Sequence, residues 1–171
     1  MNKLIDLTTG TVTVERSPDA IGRSLHLVDI ENLSGGPRRP LADHLAAYRT
    51  YERRAGVRAG DQVVVAACGL VMDELAFHLP SGISRRKANG VDGADRALLA
   101  VDTPERIAAR YERLVIGSGD HGFLGLALAA RNLGVHVVIL SGRGKRSGAL
   151  SGHGLGIRPL GRFDDDLVLI V

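Results

Sequence analysis

Residues 114–126 read LVIGSGDHGFLGL, and this stretch decides the fold class of the chain. Three apolar residues, Leu114, Val115 and Ile116, lead into a loop of small residues, and an apolar-periodic segment follows from Phe123. This pattern is typical of a buried strand that turns tightly into a helix. The stretch therefore predicts one βα unit of an α/β protein.

The loop inside this stretch permits two functional interpretations. Gly117, Gly119 and Gly122 have the GxGxxG spacing of a dinucleotide-binding turn. Asp120 instead places a carboxylate just beyond the carboxyl end of a strand, where α/β proteins tend to carry their chemistry. The loop predicts either a pyrophosphate site built on glycines or a metal site built on an aspartate.

The same alternation of apolar strands and amphipathic helices continues along the chain. Because parallel strands are buried by helices on both faces, it predicts a three-layer α/β/α fold with a mainly parallel central sheet, Rossmann-like in its general plan. We predict strands at 25–30, 62–68, 114–116, 135–140 and 167–171, a short strand or loop at 83–89, helices at 41–55, 70–78, 92–101, 104–111 and 123–133, and a loop at 141–156.

The length of 171 residues predicts one domain over residues 25–171. Residues 1–24 alternate apolar and polar positions around Thr9-Gly10, which indicates an N-terminal hairpin-like extension. No apolar run approaches the roughly 20 residues that a membrane span needs, and the start has no signal-peptide core. We therefore expect a cytoplasmic protein with no membrane partner.

Composition narrows the chemistry further. Cys68 is the only cysteine, which excludes a disulfide framework and a multi-thiolate zinc site, and its apolar surroundings predict a small buried side chain. Scarce aromatic residues argue against a single-strand binder built on base stacking. The basic residues are almost all arginine, which binds phosphate through a planar fork and hints at a polyanionic partner.

Four aspartates could converge at one edge of the predicted sheet. Asp29 ends the first strand of the domain, Asp120 follows the strand at 114–116, and Asp92 and Asp95 share a face near the start of a helix. Hard oxygen ligands in this number suit Mg²⁺ or Mn²⁺. A bound metal of this kind can activate water against a phosphodiester.

Each aspartate also has a structural interpretation. Asp92 and Asp120 could cap helices, and Asp95 could be a first-turn acid that interacts with the helix dipole. Asp29 is harder to explain in this way, because a carboxylate in an apolar strand is costly unless it has a partner or an exposed edge. The argument therefore depends on the joint placement of these acids.

At these residues the chain resembles the NYN domain family, nucleases of the larger PIN-like group. The segment LVDIENL, with Asp29 and Asn32, resembles the family's first motif, and NGVDGADRALL resembles the middle motif, where Asp92 and Asp95 compete for one role. VIGSGDHGF, with Ser118 and Asp120, resembles the third. The resemblance implies a PIN-like sheet, a Mg²⁺ or Mn²⁺ cofactor and hydrolytic endonucleolytic cleavage of RNA.

The resemblance also assigns roles. Asp29, Asp120 and one or both of Asp92 and Asp95 would hold the metal, while Asn32 and Ser118 would orient ligands or waters. Single-stranded RNA would be the partner, and a homodimer is a further option. Basic segments near the same edge would bind the RNA backbone without reading its sequence, although short charge runs are often only solvated loops. They are Arg38, Arg39, Arg85, Arg86, Lys87, Arg143, Lys145 and Arg146.

Two alternatives stay open. Gly122 stands where many family members carry a second aspartate, so the work of that acid would shift to Asp95 or His121, or the chain would be a PIN-like RNA-binding or protein-interaction module with weakened catalysis. The other is a nucleotide- or NADP-binding domain that uses the GxGxxG loop. That interpretation is weakened because the fingerprint comes late in the chain, lacks the acid about 20 residues on and contains Asp120, which would repel pyrophosphate.

Overall fold

A computed structural model describes residues 22–144 without a break, then 148, 153, 155 and 157–161, and the backbone of 3–5 and 12–14. The predicted loop at 141–156 is only partly covered. Lys145, Arg146 and the predicted strand at 167–171 lie outside the described residues. None of the helices in the described ranges is long and apolar enough to cross a membrane.

Strands and helices alternate along the domain, as the sequence predicts. The strands are β1 (Lys3–Ile5), β2 (Val12–Val14), β3 (Ser24–Asp29), β4 (Gln62–Ala67), β5 (Ser84–Lys87), β6 (Arg113–Gly117), β7 (His136–Ser141) and β8 (Ile157–Pro159). The helices are α1 (Ile30–Ser34), α2 (Leu41–Ala55), α3 (Gly69–Leu75), α4 (Gly93–Leu99), α5 (Pro104–Arg110) and α6 (Leu124–Asn132), with a 3-10 turn at His121–Phe123 before α6.

Six strands form one parallel sheet in the order β5-β4-β3-β6-β7-β8. The predicted three-layer α/β/α fold is therefore confirmed. The strand order reverses between β3 and β6, the first and fourth strands of the sheet along the chain. A crevice opens at such a reversal, outside the carboxyl ends of the two strands, and ligands of α/β proteins commonly bind there.

The two faces of the sheet bury separate apolar clusters. Leu25 and Leu27 of β3 pack with α4, α5 and α6, while Val28 packs with α1, α2 and α3 on the other face. Because successive side chains of a strand point to opposite faces, Asp29 has the same parity as Leu25 and Leu27. The parity of β3 directs Asp29 toward the α4 side of the sheet.

Two elements were absent from the predictions. The five-residue helix α1 begins at Asp29, whose side chain accepts hydrogen bonds from the backbone of Glu31 and Asn32, and it ends at Gly35 with a φ of 105°. An aspartate cap and a left-handed glycine bracket this helix, but a single turn is too short for a periodic signal. The edge strand β8 was missed because only three residues pair there.

The N-terminal extension contains the predicted hairpin strands. β1 and β2 pair antiparallel, with Lys3 opposite Val14 and Ile5 opposite Val12. The predicted turn at Thr9-Gly10 lies outside the described residues.

A buried polar network ties β3 to α2. The imidazole of His26 bonds through Nδ1 to the Tyr51 hydroxyl (2.9 Å) and through Nε2 to Asp61 (3.3 Å). Burial lowers the pKa of His26 to about 4, against the opposing effect of Asp61 and with a further lowering by Arg113 and Arg58. His26 is therefore a neutral structural group at physiological pH.

We expect His26 to make folding sensitive to acid. The unfolded chain takes up this proton near pH 6.5 and the folded protein only near 4, so the contribution of His26 is complete above 6.5 and is lost as the pH falls toward 4. The loss is on the order of 3 kcal/mol. The contribution of His26 is measured as the difference in unfolding free energy between wild type and His26→Asn. This difference should become smaller as the pH is lowered from 7 to 4. An imidazole that titrates near 6.5 in the folded protein, followed by NMR, would contradict this.

Candidate active site

The carboxyl ends of β3 and β6 carry the predicted acidic site. Asp29 closes β3, and Asp120 follows β6 by three residues, so both lie at the point where the strand order reverses. A cleft of about 310 Å³ opens at this edge. Its lining includes all four predicted aspartates together with Asn32 and Glu31. Topology thus brings together acids from three separate parts of the chain.

Asp29 is the most buried acid of the cleft, with 7% of its surface exposed. Its Oδ1 accepts the N–H groups of Glu31 (3.1 Å) and Asn32 (3.0 Å) at the start of α1. Burial raises the pKa of Asp29; the N–H of Asn32 opposes this, and the charges of Asp95 and Glu31 raise it further. A helix cap would lower this pKa, so capping alone does not account for Asp29.

Asp95 faces Asp29 from α4. Leu98, three residues later on the same side of the helix, is fully buried, which places Asp95 on the inward face of α4. The two carboxyl groups are close enough to share a hydrogen bond when one is protonated. Burial raises the pKa of Asp95, and the charges of Asp120 and Asp92 add to this. Its Oδ1 is buried without a hydrogen-bond partner among the described residues.

Asp92 lies in the cleft, and its side chain makes no capping hydrogen bond. It occupies the N-cap position of α4, as its structural interpretation predicts, and its carbonyl accepts the N–H of Arg96 (3.0 Å), but its side chain accepts no hydrogen bond from the first turn. It is the one residue other than glycine with a positive φ (53°) in the described ranges. Such a conformation is uncommon for a side chain with a Cβ and is often retained near functional sites.

Asp120 is held by its own loop. Its N–H is donated to Ser118 Oγ (3.2 Å), while its Oδ1 accepts the N–H of Gly122 (2.7 Å) and lies 3.3 Å from His121 Nδ1. Asp120 therefore caps the 3-10 turn, as its structural interpretation predicts, and still lines the cleft. Ser118 is fully buried and does not line the cleft, so it positions Asp120.

Helix α1 is fixed on two sides by distant loops. Asn32 Oδ1 accepts the N–H of Gly119 (2.9 Å), which joins α1 to the Asp120 loop. The carbonyls of Leu33 and Asn32 accept the N–H groups of Arg143 (3.0 Å) and Gly144 (2.8 Å). A Cβ at Gly142 would stand 2.2 Å from the Leu33 carbonyl oxygen, so only glycine permits this approach.

Two ionisable residues of the cleft, Glu31 and Cys68, were not among the predicted site residues. Glu31 accepts the N–H of Cys68 (2.8 Å) through Oε1 and so joins α1 to the start of α3. Cys68 is partly exposed in the cleft, so the prediction of a buried side chain is wrong. Burial and the adjacent Glu31 raise the pKa of the Cys68 thiol, which keeps it protonated. The polar residues Asp29, Glu31 and Asn32 at the end of the strand were the available signal for Glu31.

The predicted basic residues surround the cleft unevenly. Arg39 and Arg143 both approach Gly35 at one rim, where Arg39 also pairs with Asp43 (3.7 Å). Lys87 lies beside Gly69 and pairs with Asp73 (2.7 Å).

The remaining predicted basic residues are less directly connected to the cleft. The Arg85 guanidinium donates to the Leu79, Pro80 and Ile83 carbonyls, so it is not brought to the cleft. Arg86 follows Arg85 on β5 and therefore points to the opposite face of the sheet, which is the face on which Asp95 lies. Arg38 is exposed and stands next to Pro37, which lines the cleft.

Packing and hydrogen bonds within the chain explain the glycines of the GxGxxG spacing. A Cβ at Gly117 would stand 2.7 Å from the Tyr51 ring, so this glycine lets β6 pack under α2. Gly122 donates its N–H to Asp120, and a Cβ there would come within 3.3 Å of the same carboxylate. The N–H groups of Gly119 and Gly122 are thus already used by Asn32 and Asp120. This arrangement gives no support to a pyrophosphate site.

The carboxylates of the cleft meet part of what a divalent-cation site requires. The orphaned Asp95 Oδ1 and the opposed Asp29 and Asp95 carboxyl groups supply hard oxygen donors beside a polar cleft. Within the described residues, however, no group of three or more His, Cys, Asp or Glu side chains is spaced to hold a metal. Mg²⁺ often takes one or two carboxylates and keeps several waters, so the fit is to a two-carboxylate site.

Comparisons with known proteins give no relative for this chain. No family model, no curated protein and no solved structure matches it.

Proposed function

We propose that the protein is a metal-dependent endoribonuclease that hydrolyses RNA phosphodiester bonds with Mg²⁺ or Mn²⁺. The observation that carries the proposal is the opposition of two carboxyl groups from different elements at the strand-order reversal, the buried Asp29 and the half-buried Asp95. Buried like charges are costly to assemble, and they persist where a cation or a reaction uses them.

Asp29 and Asp95 would be the two protein ligands, with Asp120 and Asp92 close enough to accept hydrogen bonds from water in the cleft. When bound, the metal would acidify water and neutralise charge on the phosphate. Asn32 would keep the Asp120 loop in place through its bond to Gly119. Arginines at the rim would orient the RNA backbone, since a guanidinium matches phosphate geometry.

The activity assay uses a labelled, unstructured single-stranded RNA with Mn²⁺ or Mg²⁺. We expect internal cleavage that EDTA stops, and a circular RNA of the same sequence should also be cut, since an endonuclease needs no free end. The Glu105→Gln variant, which changes an acid on α5 that is outside the cleft lining, should cleave as wild type does. Purified protein that binds RNA without cleaving it would exclude the enzyme.

That outcome would favour a second candidate, an RNA-binding or interaction module of the same fold. Two observations speak for it: Gly122 in place of a family acid, and the missing three-ligand group in the described residues. Tight binding of NADPH would instead exclude both candidates.

The same assay separates the two aspartates of the middle motif. We expect Asp95→Asn to lower the cleavage rate at least about a hundredfold, because several kcal/mol of charge stabilisation depend on a direct ligand. Asp92→Asn should cost less, about tenfold, because Asp92 stands outside the Asp29–Asp95 pair. Equal losses would assign a ligand role to both, and a larger loss for Asp92 would contradict this ranking.

A further inference from the structure

A second cavity lies at the opposite edge of the sheet from the acidic cleft. It has a volume of about 400 Å³ and is open to solvent. It is lined by Gly22, Arg58, Glu112, Arg113, Gly134 and His136. None of these residues belongs to the site described above.

The register of the sheet gathers its basic residues. Arg113 is the first residue of β6 and is paired in register with His136, the first residue of β7. Both have the parity of Val115 and Val138, which pack on the α2 side. Arg58 follows the carboxyl end of α2, so it joins them on the same face. Three basic side chains from three segments therefore meet at one place.

The guanidinium groups keep free donors. Arg113 Nη1 donates to the Ala55 carbonyl (2.9 Å) at the end of α2, and Arg58 Nη2 donates to the Gly22 carbonyl (3.0 Å). Neither arginine forms an ion pair with an acid in the part of the chain that the structure describes. A guanidinium has five N–H donors, so most of them stay available toward the cavity.

The two nearby acids already accept hydrogen bonds from backbone N–H groups. Glu112 Oε2 accepts the N–H of Gly22 (2.8 Å), and Asp61 accepts those of Ser24 (2.7 Å) and Arg58 (2.9 Å) besides contacting His26. Burial lowers the pKa of Arg113, and the charges of Arg58 and Arg158 lower it further, while Tyr51 and Asp61 oppose this. Three basic side chains thus share this place with two carboxylates, Glu112 and Asp61, which already accept backbone N–H groups.

We infer that this cavity binds a phosphate group, held by the guanidinium groups of Arg58 and Arg113 and by the imidazole of His136. Phosphate suits the cavity because two planar forks can each donate to a separate pair of its oxygens. The group could belong to free inorganic phosphate or to a nucleotide, and the volume accommodates either. The inference does not rest on the ribonuclease proposal, because the two sites share no residue.

The test follows backbone amide signals of ¹⁵N-labelled full-length protein by NMR. Sodium phosphate is titrated against sodium chloride at matched ionic strength and pH 7. We expect the amides of Gly22, Gly134 and His136 to shift, with at least about tenfold weaker binding in Arg58→Gln and in Arg113→Gln. Arg131→Gln on α6 is the matched control, because its side chain bonds the His153 carbonyl away from the cavity.

One of the two arginine variants protects the test against misfolding. Arg113 also bonds the end of α2, whereas Arg58 is exposed, so Arg58→Gln should report binding in an intact fold.

Adenosine 5′-monophosphate and adenosine distinguish the two sources of the phosphate group. Tighter binding of the nucleotide than of phosphate assigns a nucleotide, and equal binding assigns free phosphate. Asp29→Asn should bind phosphate as wild type does.

Three results would overturn the inference. They are the absence of shifts in wild type, shifts centred on Gly35 and Gly36 at the acidic cleft, or unchanged affinity in both arginine variants.

Discussion

Asp29→Asn is expected to abolish RNA cleavage while making the metal-free protein more stable at pH 8. The rate should fall at least about a hundredfold, because the variant removes the most buried carboxylate of the cleft from the acids that we propose bind the metal. Asparagine can still accept the N–H groups of Glu31 and Asn32 through its own Oδ1, so the cap of α1 is retained.

The gain in stability follows from the direction in which the fold moves the pKa of Asp29. Burial, and then the charge of Asp95, raises this pKa above its value in the unfolded chain. The folded state therefore holds a proton that the unfolded chain releases, and stability is lost as the pH rises through the folded pKa. A tenfold change in proton affinity corresponds to about 1.4 kcal/mol, so the variant should gain at least about 1 kcal/mol at pH 8.

Chemical denaturation of wild type and variant in EDTA at pH 8 and pH 4 measures this gain. It should nearly vanish at pH 4, where both carboxyl groups of wild type are mostly protonated. A divalent metal should reverse the order, because it stabilises only a chain that can bind it.

Asp61→Asn is the matched control for Asp29→Asn. Burial alone would raise the pKa of Asp61, but the N–H groups of Arg58 and Ser24, with His26, lower it overall. This carboxylate stabilises the fold, so its replacement should destabilise the protein at pH 8. If Asp29→Asn behaves in the same way as Asp61→Asn, Asp29 is a helix cap and the functional interpretation fails.

Gly142→Ala is expected to be the most disruptive single methyl addition outside the apolar core. The new Cβ would meet the Leu33 carbonyl oxygen at 2.2 Å and the Leu33 Cα at 2.4 Å, and backbone atoms cannot move aside as a side-chain end can. The segment after β7 must then separate from α1, which breaks the bonds from Arg143 and Gly144. We expect a loss of about 2–4 kcal/mol in unfolding free energy.

Gly142→Ala should disturb the geometry of the acidic cleft as well as the stability of the fold. Helix α1 carries Asn32 and starts at Asp29, so displacement of its carbonyls shifts both residues. Gly125→Ala on α6 is the control, because its Cβ would meet nothing within 4 Å. Alanine is the better helix former, so this variant should be neutral or more stable by up to about 1 kcal/mol. A Gly142→Ala protein as stable as wild type would contradict the close approach to α1.

Local sequence was enough to predict most of the fold. The helix at 41–55 has the predicted bounds, and Thr103 caps α5 through the Arg106 N–H, with Pro104 as its first residue. These elements were predictable because caps, apolar periodicity and strand alternation act over a few residues. Helix α1 and strand β8 escaped because their short lengths leave no period to detect.

The sequence by itself determined that Asp29 ends a buried strand and that Asp120 follows another, since both facts depend on neighbouring residues. It left Asp92 and Asp95 equivalent, because they would share one helical face. Only the tertiary structure separated them: the left-handed backbone at Asp92 precedes α4, and the packing of Leu98 turns Asp95 toward Asp29. The direction of a side chain in a cleft is set by how distant elements pack, and that packing is not encoded in any short stretch.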